Sequence, residues 1–122
     1  MSNIRNVNEE LNHFTGTSCY YQHPLLGYRY TDGVQHLAQQ FKCYWLLRDI
    51  ALHNHLHLEP INEPFQVWKL QRCADPELGF TLSCQDGNYN ELFSCNIPCS
   101  DFAGDLVTVW FIDGILLLPS EY

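Results

Sequence analysis

Positive charge is scarce in this chain of 122 residues: six Lys and Arg stand against 14 Asp and Glu, for a formal net charge of −8. None of the six is clustered, which argues against direct binding to nucleic acid, where several phosphates must be neutralised at once. The same field repels an anionic membrane surface. No apolar run approaches the ~18 residues of a membrane span. The opening Met1-Ser2-Asn3-Ile4-Arg5-Asn6 is polar and runs into Glu9 and Glu10, without the apolar stretch of an export signal, so a cytoplasmic protein is expected. Glycine-rich phosphate cradles, Gly-x-Ser-x-Gly elbows and His-Glu-x-x-His helices are all missing, as are internal repeats and low-complexity tracts. No catalytic residue is assigned and no cofactor is expected.

What is present is a folding composition, with 46% hydrophobic and 14% aromatic residues. Such a chain buries a real core in spite of its charge, and its length suits a single domain over residues 1–122. The charge is unevenly spread. Residues 1–61 come to −1, whereas residues 62–122 hold nine acids against Lys69 and Arg72 and come to −7. Six cysteines in a chain without an export signal read as small buried hydrophobes rather than a disulfide framework.

The first half has helical periodicity. Val7, Leu11 and Phe14 share a face of a short helix over Asn6–Phe14, and a short extended piece follows between Ser18 and His23. Thr31-Asp32-Gly33 offers capping oxygens to a second helical stretch through residues 32–54, with a bend expected near Lys42. Around Asn54 the period changes to strict alternation, and after Pro60 and Pro64 the residues read as strands. Strands are expected at Phe65–Leu70, Leu78–Cys84, within Asn90–Ile97, at Leu106–Ile112 and at Ile115–Leu118, and the Asp86-Gly87 and Asp113-Gly114 pairs are hairpin signals. The expected fold is α+β, with N-terminal helices packed on one face of a mainly antiparallel meander of four to five strands.

Phe14-Thr15-Gly16-Thr17, Tyr30-Thr31-Asp32-Gly33-Val34, Tyr44-Trp45-Leu46-Leu47, Ser100-Asp101-Phe102 and Leu118-Pro119-Ser120-Glu121-Tyr122 together resemble the landmarks of a family of short bacterial proteins catalogued as a domain of unknown function. The resemblance implies a small free-standing bacterial protein, often in mobile or phage-like gene neighbourhoods. It implies no activity and no catalytic residues. The chain departs from the family pattern at Ala103, where a proline is usual.

His53, His55, His57 and Glu59 fall on one side if extended, and His53 and His57 one turn apart if helical, a spacing that can hold zinc. Histidines at a helix end also suit its negative pole and free carbonyls, and that bland reading is preferred. Cys95 and Cys99 form one close thiol pair, where a structural zinc site shows two. No metal ligand is assigned. Tyr20, Tyr21, Tyr28 and Tyr30 crowd one segment, as either a recognition surface or rings tucked against helices.

The leading reading is a non-enzymatic protein-binding module or inhibitor with an acidic sheet face, formed by Asp86, Glu91, Asp101, Asp105 and Asp113 and directed at a basic partner surface. A version that copies nucleic-acid charge fits a mobile-element setting. Two alternatives stand: a metal-dependent enzyme or metal-binding protein using His53, His57 and nearby acids, and a homodimeric structural protein without mimicry. A charge of −8 that merely keeps the protein soluble is the plain competitor.

Overall fold

Asn6 opens the first helix by accepting the Asn8 N–H on its side chain at 3.0 Å, and α1 spans Val7–Glu10 with Glu9 and Glu10 in its first turn. This computed structural model describes residues 6–15, 20–22, 28–58, 64–74, 79–98, 102 and 104–122. Short strands β1 (Tyr20–Gln22) and β2 (Arg29–Thr31) precede α2, Asp32–Gln40. Thr31 is the α2 cap, its Oγ1 accepting the Val34 N–H at 3.2 Å, and Val34, Leu37 and Ala38 are buried below it.

The expected bend is a break. Lys42 takes a left-handed φ of 57°, and the Cys43 N–H reaches back to Ala38 O at 3.0 Å, closing α2 before α3 begins at Tyr44. Helix α3 spans Tyr44–His53 and continues as a π-turn over Asn54–Leu58.

Strands β3 (Phe65–Arg72), β4 (Phe80–Gln85), β5 (Glu91–Ile97), β6 (Leu106–Ile112) and β7 (Ile115–Leu117) fall where alternation places them, and a short 3-10 turn follows at Pro119–Glu121. The α+β class holds, but the meander of four to five strands does not. One seven-stranded mixed sheet runs β1-β2-β7-β6-β3-β4-β5. Two strands come from the tyrosine-rich segment, and β2 joins β7 in parallel through Arg29↔Ile115 and Tyr30↔Leu116. After the β3-β4-β5 meander the chain crosses back, so that β6 pairs with the far side of β3 and β3 becomes the central strand. Hairpin signals specify neighbours only across tight turns, and the sequence between Pro98 and Asp105 carries no such two-residue signal.

Helix α1 departs from the expected placement as well. It lies at the edge of β6, beyond the reach of the short β7. There Asn6 bridges Leu106, while the Asn8 side chain accepts the Thr108 N–H at 2.6 Å and donates to Thr108 O at 2.8 Å, acting as a strand in miniature.

The core forms between α2, α3, the π-turn and one face of the sheet, with Trp68, Leu70, Leu82, Val107, Val109 and Leu116 buried from the strands. One polar chain is embedded in it. Gln66, 2% exposed, donates from Nε2 to Asn54 Oδ1 at 2.7 Å and accepts the Trp68 indole N–H at 2.9 Å, tying the π-turn to β3. Cys43 and Cys84 are buried, and burial pushes the Cys43 thiol up to about 12. Cys73 and Cys95 are partly buried, while Cys19 and Cys99 lie outside the described residues. No helix is long and apolar enough to cross a membrane among the described residues.

Candidate functional site

Because side chains alternate across a strand, turning Gln66, Trp68 and Leu70 toward the helices turns Phe65, Val67, Lys69 and Gln71 the other way. That second face carries two distinct regions. At one end, Phe65 lies 5.2 Å from Trp110 between ring centroids, and Tyr122 packs edge-on against both at 6.4 and 5.3 Å. The cross-strand pairs Val67↔Trp110 and Ile112↔Ile115 extend this apolar area. Tyr122 is 79% exposed. From the Val67 row toward the other end, Lys69, Gln71, Arg72, Thr81, Ser83, Gln85 and Glu91 are among the residues that line a hollow of about 520 Å³.

The acids expected to share a sheet face are divided by register. Phe65 pairs with Ile112, Val67 with Gln85 and Gln85 with Glu91, so Asp86, Glu91 and Asp113 all sit at the Phe65 end. Asp86 is spent on its own turn: its carboxylate accepts the Asn88 and Asn90 N–H groups at 2.8 and 3.0 Å and the Asn90 side chain at 3.0 Å. The Asn90 bonds, with that from Asn88, hold its carboxyl below the usual carboxylate range. Asp113 is exposed in a left-handed conformation, φ 51°, at the β6–β7 turn. Asp105 stands at the opposite end, where Arg72 Nε donates to it at 2.6 Å. Asp101 lies outside the described residues. The sheet therefore brings three of the five acids to one rim and neutralises a fourth.

The histidine run is a packing cluster under β5. His53 and His57 stack at 5.8 Å, and Phe93 lies 4.5 and 4.8 Å from their respective rings. Cys95 Sγ is 4.0 Å from His53 Nε2. Burial pulls the His53 imidazole below its ordinary value; Asp49 opposes that shift and His57 adds to it. The Cys95 thiol is raised by burial and by Asp49. Among the described residues no group of three or more His, Cys, Asp or Glu is arranged to hold a metal ion. Glu59 lies outside them.

One residue carries more structure than sequence reasoning assigned to it. Glu121 is 7% exposed, and its Oε1 accepts the Thr31 hydroxyl at 2.6 Å and the Leu118 N–H at 2.9 Å, while Oε2 accepts the Gly33 N–H at 3.3 Å. Burial raises its carboxyl above the usual carboxylate range against the downward pull of these three donors. A Cβ at Gly33 would come within 2.7 Å of Oε1, so a larger residue there displaces the Glu121 carboxylate from this contact. Two of the sequence landmarks, Thr31–Val34 and Leu118–Tyr122, thus meet in one contact.

The family comparison rests on almost the whole chain, matching residues 5–122. The chain belongs to the family of unknown function DUF6876. This agrees with the landmarks, two of which converge on the Thr31–Glu121 contact. No curated protein and no solved structure matches the DUF6876 chain.

Proposed function

We propose that this protein is a non-enzymatic binding module that engages a protein partner through the aromatic end of its uncovered sheet face. The observation that carries the reading is the Phe65–Trp110–Tyr122 group, three rings in mutual contact on the side away from the helices. Aromatic anchors surrounded by a charged rim are the usual energetic layout of a protein interface. Here the rim is acidic, with Asp113 beside Ile112 and Ile115, and Asp86 and Glu91 across the same end of the sheet. The occupant that complements it is a protein surface presenting an apolar side chain flanked by Lys or Arg. A second copy of this chain, at net −8, would bring like charges together.

Rings anchor the complex and acids steer it in this reading, so a row of carboxylates imitating nucleic acid is not needed. The test is affinity capture with immobilised wild-type protein and Trp110→Ala side by side, eluting with a salt gradient. The expected result is a species held by the wild type, lost from Trp110→Ala, released by rising salt, and binding through a basic, apolar segment. Identical captures on both proteins, retention indifferent to salt, or a stable homodimer by light scattering would overturn it.

A further inference from the structure

Residues 62–122 contain two bases, and the sheet commits only one of them. Arg72 is held at the rim of the hollow: Nε donates to Asp105 at 2.6 Å, Nη2 donates to Gly104 O at 3.1 Å, and the guanidinium lies 4.6 Å from the Phe80 ring centroid. Lys69, partly buried at the middle of the central strand, has no ion-pair or hydrogen-bond partner among the described residues. The stem packs between strands while the ammonium stays open to solvent, so an anion that reaches it meets an unpaired charge flanked by hydroxyls.

Its neighbours in the hollow are short and hydroxylic. Lys69 pairs with Thr108 on one side and Ser83 on the other, and Ser83 pairs in turn with Ser94, so one cross-strand row places an ammonium among three hydroxyls. The next row supplies Gln71, Thr81 and Asn96. Two residues the other way along β3, the row through Val67 continues to Gln85 and ends in Glu91, about 8 and 12 Å from Lys69 between Cα atoms at ordinary strand spacing. Small side chains leave the volume, about 520 Å³, that such a ligand needs. The hollow is polarised, with Lys69 at its centre, the Asp105-paired Arg72 toward one end and the Glu91 carboxylate at the other.

We propose that this hollow binds a small polyhydroxylated anion, with its phosphate or carboxylate at Lys69 and its hydroxyls directed to Gln85 and Glu91. Glutamine amides and a carboxylate bond sugar hydroxyls from both donor and acceptor sides. Glu91 disfavours a second anionic group at its end, so a ligand charged at one terminus fits and one charged at both does not. This site shares Glu91 with the acidic rim of the aromatic end but none of its three rings, and because Trp110→Ala tests that reading independently, its failure leaves the protein-binding reading standing.

The test is an NMR titration of the full chain with glucose 6-phosphate, gluconate, glucose and inorganic phosphate. Saturable shifts at the Thr81, Ser83 and Ser94 amides are expected. At least one charged sugar should bind ten-fold or more tightly than glucose and tighter than phosphate alone, and the better of the two identifies the anion. Lys69→Gln should weaken binding about ten-fold, Lys69→Arg should retain it, and Glu91→Gln should tighten it about two-fold. These opposite signs cannot come from general damage to the sheet. No saturable shift with either charged sugar, unchanged affinity in Lys69→Gln, or weakening by both Gln variants would overturn the proposal.

Discussion

The two faces of the sheet use the same kinds of residue for opposite purposes. On the covered face a polar side chain, Gln66, is buried and satisfied by Asn54 and Trp68, while on the uncovered face large apolar rings, Phe65 and Trp110, remain partly exposed. Two tryptophans separated by one strand pairing make the contrast sharp. Trp68 is 1% exposed, with its indole N–H bonded, and Trp110 lies one register position away on the other side. Polarity alone does not say which face is core. The placement of the helices does.

The largest predicted effect follows from that pair. Trp68→Ala leaves a cavity beneath the helices and strands Gln66 Oε1, and is expected to cost about 3–5 kcal/mol in denaturant unfolding. If it costs no more than Trp110→Ala, the assignment of faces is wrong.

Next comes the Glu121 contact, which joins the carboxy-terminal turn to the start of α2. Glu121→Ala removes acceptors from the Thr31 hydroxyl and from the Gly33 and Leu118 N–H groups, and is expected to destabilise by about 2 kcal/mol. Hydrogen exchange should report it locally, through faster exchange at Gly33 and Leu118. Uniform exchange across the molecule would show that the contact is incidental to α2.

Much of this architecture was legible from residues 32 to 54 and 65 to 117, because hydrophobic period and turn chemistry are local signals, but Asn54–Leu58, where alternation is expected, winds on as a π-turn. Lys42 marked the helix break, and the Asp113-Gly114 turn marked the β6–β7 hairpin. The strand order was not legible. Placing β6 beside β3, and β2 parallel to β7, depends on contacts between residues far apart in sequence that no short pattern encodes. The same limit governed the acids: Asp105 and Asp113 are close in sequence but occupy opposite ends of β6, since seven extended residues separate them. Glu121 was counted as one more negative charge, and only its proximity to Thr31 shows it to be a buried cap. The Thr31–Val34 and Leu118–Tyr122 landmarks pointed to both partners of that contact without linking them.

A smaller effect tests the uncovered face. Trp110→Ala removes a partly exposed ring and is expected to cost about 1 kcal/mol or less in stability while abolishing the proposed partner binding. A large loss of stability would make the ring a structural element and remove the contrast with Trp68.

The smallest effect separates the partly buried His53 from the buried Glu121 by sign. The folded-state pKa of His53 is depressed, chiefly by burial, so its contribution to stability is present above the ordinary imidazole value, about 6.5, and is lost as pH falls through the window below it. Glu121 behaves oppositely: its raised carboxyl contributes most below the ordinary carboxylate value, and that contribution is lost as pH rises through its folded value. Denaturant midpoints should therefore fall between pH 7 and pH 5 in a wild-type series. His53→Phe, which keeps an aromatic ring against Phe93, should flatten that fall, whereas Glu121→Gln should steepen it by removing a group whose raised carboxyl gains stability as pH falls. A slope between pH 7 and pH 5 that persists in His53→Phe would assign the neutral-range titration to a group other than the imidazole packed between His57, Phe93 and Cys95.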